Sequence, residues 1–199
     1  MCGIAGILHR NGAPADPLGV RRLTAQLAHR GPDGSGHYLS GPVALGHTRL
    51  AIIDPQGGRQ PLCNEVESIW AVVNGEIYNY RDLRRELELR GHCFRTESDS
   101  EVVIQGYEQW GTRCVERFRG MFAFGLWDAA KSELFLARDR VGIKPLYYFQ
   151  TKDVFAFASE LGALRSLSEC PDEIDLGALD LYLHLQYIPA PRTAFRGVQ

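Results

Sequence analysis

The chain has 199 residues, 45% of them hydrophobic and 23% charged, with a formal net charge of −2. That composition suffices for one sizeable core, and so small a charge points to neither nucleic acid nor an anionic membrane as a partner. No stretch approaches the ~20 apolar residues that cross a bilayer, and "CGIAGIL" is too short and lacks the basic lead of a secretion signal, so a cytoplasmic protein is expected.

"CGIAGILHR" is apolar almost throughout and predicts a strand buried on both faces. "DPLGVRRLTAQLAHRG" predicts a helix capped by Asp16, with Pro17 at its first position, Gly31 after its last turn, and Leu23 and Leu27 as its buried stripe. "GHYLS" and "VALGHTRLAII" predict two strands joined at "GP", the second leading into the turn-rich "DPQGGRQPL". "SIWAVVNGEIYNY" predicts a strand that ends in the sharp-turn dipeptide Asn-Gly. Two helices follow: "YRDLRRELELRG", with Leu83 and Leu87 inward and a stop at Gly91, and "SDSEVVIQGYEQWG", opened by a capping-type Ser-Asp-Ser-Glu and ended by Gly111. "MFAFGLWD", "SELFLARD", "PLYYFQ" and "VFAFAS" are short strands separated by turns, as antiparallel pairing requires. The pattern is α+β. Short links argue against a parallel βαβ sheet, and neither G-x-G-x-x-G nor a Walker-A string occurs. From about Cys170 the character changes to one helix and a proline-broken extension, giving a domain over residues 2–170 and a connector over 171–199.

Cys2, Cys63, Cys93, Cys114 and Cys170 include no C-x-x-C pair, and the six histidines are dispersed. This fits neither a disulfide framework nor a metal site, so no metal is expected. Four of the cysteines read as small semi-buried hydrophobes. Cys2 is different. Removal of Met1 would leave a thiol and a free α-amino group on one residue, with ordinary pKa values near 8.5 and 7.7–8.0. The amine can accept the thiol's proton and later deliver it to a leaving group, so one residue supplies nucleophile and base. The competing reading, a small residue in a buried strand with Met1 retained, stands on position alone.

"MCGIAGI", "HRGPDG", "TRLAIID", "NGEIYN", "SDSEV", "MFAFGLWD" and "ARDRVGIKPLYY" occur in this order. Together they resemble the glutaminase domain of glutamine-hydrolysing asparagine synthetases, which are class II glutamine amidotransferases and N-terminal-nucleophile hydrolases. The resemblance runs from residue 2 to about residue 190. It implies a four-layer αββα sandwich of two antiparallel sheets flanked by helices. It also implies that Cys2 attacks the side-chain amide of L-glutamine, giving a tetrahedral intermediate, a thioester and ammonia, before water releases glutamate.

The same resemblance implies the remaining roles. The Asn74 side-chain amide and the Gly75 backbone N–H would hold the oxyanion, although Asn-Gly alone also makes a plain hairpin turn. Arg49 matches the arginine that binds the glutamine carboxylate, and Glu76 and Asp99 the positions that hold its amino group; backbone groups at Ile52 and Ile53 would line the pocket. Asp99 has a rival role as a helix cap. His29 receives no chemistry, and Arg138, Asp139 and Lys144 read as structural ion pairs. The glutaminase step implies no cofactor; ATP and magnesium belong to the family's C-terminal synthetase domain, whose S-G-G-x-D-S loop this sequence lacks. Where the synthetases commonly carry lysine in "K-A-L", this chain has Gly162 in "LGAL". The expected partners are therefore L-glutamine and a C-terminal synthetase domain, with a homodimer open and no nucleic acid or membrane. Two alternatives stand beside this reading: the glutaminase half of a paralogous amidotransferase with another ammonia acceptor, and a catalytically silent assembly domain. Retention of Cys2, Arg49, Asn74, Gly75, Glu76 and Asp99 together argues against silence.

Overall fold

The stretch that opens the sequence forms strand β1 (Gly3–His9), and the first residues of the chain do not fray because β1 is paired on both edges. The computed structural model describes residues 1–199. β2 (Gly34–Ser40), β3 (Val43–Arg49), β8 (Tyr147–Gln150) and β9 (Val154–Ala158) join β1 in one antiparallel sheet of order β2-β3-β1-β9-β8. β4 (Leu62–Cys63), β5 (Ile69–Ile77), β6 (Gly120–Asp128) and β7 (Glu133–Arg138) form a second antiparallel sheet in chain order.

Period-two alternation then builds the layers. Ile4 of β1 faces inward and meets Leu45, Val72, Ala123 and Phe157 between the sheets. Ala5 and Ile7 face outward, against Leu23 and Leu27 of the helical segment that begins with α1 (Pro17–Gln26). On the far side of the second sheet, α2 (Tyr80–Leu89) and α3 (Glu101–Trp110) bury Leu83, Val102 and Ile104 against Val73, Phe122 and Phe124. With the one-turn helix α4 (Leu161–Leu164) beside α1, the stacking is helix, sheet, sheet, helix, which is the sandwich expected. Phe157 fits between the sheets because Gly6 and Gly125 lack side chains: a Cβ there would lie 2.3 and 2.4 Å from its ring.

Most elements form where the sequence places them. The Asp16 carboxylate accepts from Leu18 N–H at the start of α1, and Gly91 (φ +94°) and Gly111 (φ +61°) stop α2 and α3. Four expectations need correction. β5 does not end at Asn-Gly but runs through it to Ile77, because Gly75 takes φ +150° and lets β6 approach where a Cβ would be 2.1 Å from Met121 O. β3 stops at Arg49, so residues 50–53 leave the strand. Arg138, Asp139 and Lys144 form no ion pairs with one another: Arg138 donates to the Gly142 and Lys144 carbonyls, and Asp139 accepts from the backbone N–H groups of Ile143 and Lys144. The first helix, expected to run to Gly31, stops at Gln26, and Ala28–Arg30 form a separate 3-10 turn, while β4, α4 and a second 3-10 turn, Gly111–Glu116, carry no signal that the sequence reading picked up.

In the last thirty residues, α5 (Leu176–Leu185) buries only Ala178 and leaves Leu176, Leu179 and Leu183 exposed. The chain beyond it returns to the first sheet, where Val198 bridges to Phe149 and is buried beside it.

Candidate active site

Four separate pieces of chain meet at one end of the sandwich: the residue before β1, the end of β3 and its following loop, the middle of β5, and the entry to α3. Together with Met121 and Lys144 they enclose a cavity of about 160 Å³ lined by Cys2, Arg49, Ile52, Ile53, Asn74, Gly75, Glu76 and Asp99, so every candidate site residue comes together. The volume falls well below the ~300–1,000 Å³ of drug-sized ligand sites and suits a small metabolite.

The register explains the first junction. Gly3 pairs with Thr48, so Cys2 comes alongside the end of β3, within reach of Leu50. Leu50 N–H points to Cys2 Sγ at 3.4 Å, and the thiol faces the Leu50 carbonyl at 3.7 Å. Arg30 donates from Nε to the Cys2 carbonyl at 3.0 Å while its other arm pairs with Glu160 at 2.7 Å, so the backbone of Cys2 is fixed from the "HRGPDG" loop. His29 meets only the same glutamate, at 3.0 Å. Met1 also lines the cavity, and its thioether meets the buried Lys144 ammonium at 3.3 Å.

The end of β3 presents a fixed cation. Arg49 donates to the carbonyls of Pro55 (2.8 Å), Asp54 (2.5 Å) and, more weakly, Ile53 (3.5 Å). A guanidinium carries five N–H donors, so this clamp leaves donors free for a planar anion. The loop is itself braced by Asp54, at φ +49°, whose carboxylate accepts from Gly57 and Glu97 N–H; those hydrogen bonds hold it below the usual carboxylate range. Gly58 packs beside Arg49, where a Cβ would stand 2.9 Å from the guanidinium.

On β5, alternation sends the Asn74 and Glu76 side chains to one face. Asn74 is 1% exposed, yet its Nδ2 has no hydrogen-bond partner. A buried amide donor without an acceptor costs about 1–3 kcal/mol, which marks a place where a ligand acceptor belongs. Val73 and Ile77 N–H turn away from β6, to Gln60 Oε1 and Asp99 Oδ2, so the same alternation directs Gly75 N–H outward between them. Two donors thus converge on one wall.

Asp99 is not the cap of α3. Ser100 occupies that position without a side-chain cap bond, and Asp99 accepts from Ile77 N–H at 2.8 Å. Glu101 likewise turns back to Arg95 and Thr96 N–H rather than closing a capping box. Burial, with Glu76 adding repulsion, pushes the Asp99 carboxyl up against the pull of that hydrogen bond. Two carboxylates therefore face one polar space, an arrangement that suits an ammonium.

Gly58, Gln60, Ser98, Ser100 and Lys144 also line the cavity, and the sequence reading gave none of them a place there. Lys144 stood out only as a charge inside "VGIKPLYY", and Gln60 lay unremarked in the turn-rich "DPQGGRQPL". No group of three His, Cys, Asp or Glu side chains is arranged to hold a metal ion, and no helix is long and apolar enough to cross a membrane.

Comparison with known proteins gives this geometry a family. Asparagine synthetase [glutamine-hydrolyzing] 1 of Bacillus subtilis strain 168 is 41% identical over 197 residues, 97% of this chain and 31% of that protein. A putative glutamine-hydrolyzing asparagine synthetase of Mycobacterium tuberculosis H37Rv is 42% identical over 218 aligned positions, all of this chain and 33% of its own. The chain thus spans about a third of the length of these curated relatives. Among solved structures, the glutamine phosphoribosylpyrophosphate amidotransferase of B. subtilis, complexed with ADP and GMP, superposes with a TM-score of 0.69 at 24% identity, over 83% of this chain and 43% of that one. That likeness shows the fold, two antiparallel sheets packed between helices. A family model described as a glutamine amidotransferase domain matches residues 1–199, and the chain belongs to that family.

Proposed function

We propose that this domain hydrolyses L-glutamine to glutamate and ammonia, with Cys2 as nucleophile, and that it serves as the ammonia-supplying half of an asparagine synthetase. The observation that carries the reading is the unpartnered Asn74 Nδ2, buried in the wall of a cavity that also holds Cys2, one fixed guanidinium and two carboxylates.

Substrate recognition follows from charge. The glutamine carboxylate pairs with the free donors of Arg49, and its ammonium lies between Glu76 and Asp99. This leaves the side-chain amide directed at Cys2. Once Met1 is removed, the Cys2 amine takes the thiol proton as sulfur attacks the amide carbon. The carbonyl oxygen becomes an oxyanion held by Asn74 Nδ2–H and Gly75 N–H, donors worth ~3–4 kcal/mol each when removed. The protonated amine gives its proton to the departing nitrogen, and ammonia leaves a thioester. Water then attacks the thioester, with the same amine as base, and glutamate is released. With Met1 attached the Cys2 nitrogen is a peptide nitrogen and has no basicity, so that form is inactive.

Residues 2–170 form the catalytic body in this reading, and 171–199 lead towards a C-terminal synthetase domain, where ATP and magnesium would activate aspartate. The relatives' greater length and the exposed leucines of α5 support that partner. The test is glutamate release by the processed chain: Cys2→Ala abolishes turnover while glutamine still binds. Turnover that survives Cys2→Ala contradicts the proposal.

A further inference from the structure

β5 reaches the site with one edge open. β4 covers it only at Ala71 and Trp70, through Leu62 and Cys63. Past that point side chains replace a neighbouring strand. Gln60 does so at two points, accepting from Val73 N–H at 2.6 Å and donating to Val73 O at 3.2 Å. His47 reaches the same carbonyl from β3 through Nε2, also at 3.2 Å. A carbonyl only accepts, so Nε2 carries the proton and the tautomer is fixed. His47 is fully buried, and its Nδ1 has no partner. At the other end of the open edge, Asp99 takes Ile77 N–H. The segment 74–76 is therefore stretched between two side-chain clamps, and its free donors are the two that point into the cavity.

Resting on the glutaminase reading and deepening it, we infer that Gln60 and His47 are positioning residues that aim the oxyanion donors Asn74 Nδ2–H and Gly75 N–H by pinning Val73, the residue just before them. The physical reason is geometric. Donors must meet the oxyanion rather than the ground-state amide oxygen, and a displacement of ~1 Å at such a site costs on the order of 10²-fold in rate. Strand pairing would fix Val73 equally well, but a strand laid along this edge would also cover Gly75 N–H. A side chain that bonds one residue fixes the edge and leaves the next donor open. Gln60 is half-buried and lines the cavity, so its removal disturbs less packing than a change at His47.

The test is steady-state kinetics of the processed chain carrying Gln60→Met, which keeps the side chain's length and removes both hydrogen bonds. We expect kcat to fall ~10–100-fold with KM for glutamine changed less than about 3-fold, because the lost interaction belongs to the transition state. Affinity for glutamate γ-semialdehyde, which forms a tetrahedral adduct with the Cys2 sulfur, should fall by the same factor, while affinity for glutamate should not. His47→Gln, which keeps a donor for Val73 O, should retain more activity than His47→Leu, and this pair decides the matter if Gln60→Met does not fold. A folded Gln60→Met with unchanged kcat, or with its whole loss in KM, overturns the inference, as does equal activity of the two His47 variants. An inactive parent chain would instead overturn the glutaminase reading and this inference with it.

Discussion

Asp99 is a buried carboxyl whose surroundings oppose its charge. Its carboxyl is buried beside Glu76 and held above the ordinary value of 3.8. The folded state therefore binds this proton more tightly than the unfolded chain does, and ionisation lowers stability as pH rises through the raised value. In the proposed reading, the ammonium of glutamine offsets the repulsion from Glu76 when it binds. Asp99→Asn keeps an acceptor for Ile77 N–H and removes the charge. It should raise the melting temperature of the unliganded protein near pH 7.5 while raising KM for glutamine at least ~10-fold, measured by thermal denaturation and initial rates. In the parent chain, KM should climb as pH falls into the range where Asp99 takes up its proton. At this scale it is the family resemblance of their strings that singles out Arg49, Asn74 and Glu76, which the fold brings to one cavity, whereas Lys144, whose ammonium meets a sulfur instead of a carboxylate, reads from the sequence only as part of a structural ion pair.

Among the elements, β5 shows best why a local pattern can mislead. Asn-Gly makes a hairpin turn when strands are free to reverse, but here Met121 and Phe122 of β6 continue alongside it, and Gly75 fits because nothing projects from it. The partner strand lies nearly fifty residues away in sequence, so no short-range reading contains it. Helices were more legible, since Leu23, Leu27, Leu83 and Leu87 repeat at the helical period and Gly91 and Gly111 follow the ends of α2 and α3, whereas α1 stops at Gln26 and a 3-10 turn leads to Gly31. The end of β3 was lost for the opposite reason: "RLAII" stays apolar, while Ile52 is exposed at the rim of the cavity. Between the sheets, Phe157 joins β9 to β6 across Gly125. Phe157→Ala should cost about 3–5 kcal/mol of unfolding free energy in urea titration, and a loss below ~1 kcal/mol would show that the sheets do not depend on this contact.

For the whole molecule, the order of strands carries the function. Placing β1 between β3 and β9 brings residue 2 against residue 50, and stacking the second sheet beneath brings residues 74–76 and 99 to the same end. Alternation of apolar residues reveals which face is buried but not which sheet a strand joins, so only resemblance to a family could supply the sandwich in advance. The same stacking buries His47, whose pKa is lowered from 6.5 to about 4 by burial and the Arg49 charge, against the hydrogen bond to Val73. The unfolded chain takes up this proton below about pH 6.5 and the folded chain only near 4. Stability from this group is therefore complete above 6.5 and lost as pH falls through that window, by on the order of 3 kcal/mol. Denaturant midpoints measured from pH 8 to 4 should follow that decline, and His47→Gln should flatten it.

The central claim is that freeing the Cys2 amine turns a half-buried sulfur into the nucleophile of a glutamine-shaped pocket. Other thiols compete poorly: burial pushes up Cys63 and Cys170, Cys114 reaches about 12, and Glu65 raises Cys93. Intact-mass spectrometry before and after a glutamine-mimicking alkylator such as a diazo ketone reports processing and reactivity together. The account predicts one adduct, mapped to Cys2, on the chain that begins at Cys2, and none on the chain that keeps Met1. An unmodified Met1-free chain, or equal labelling of both forms, would contradict it.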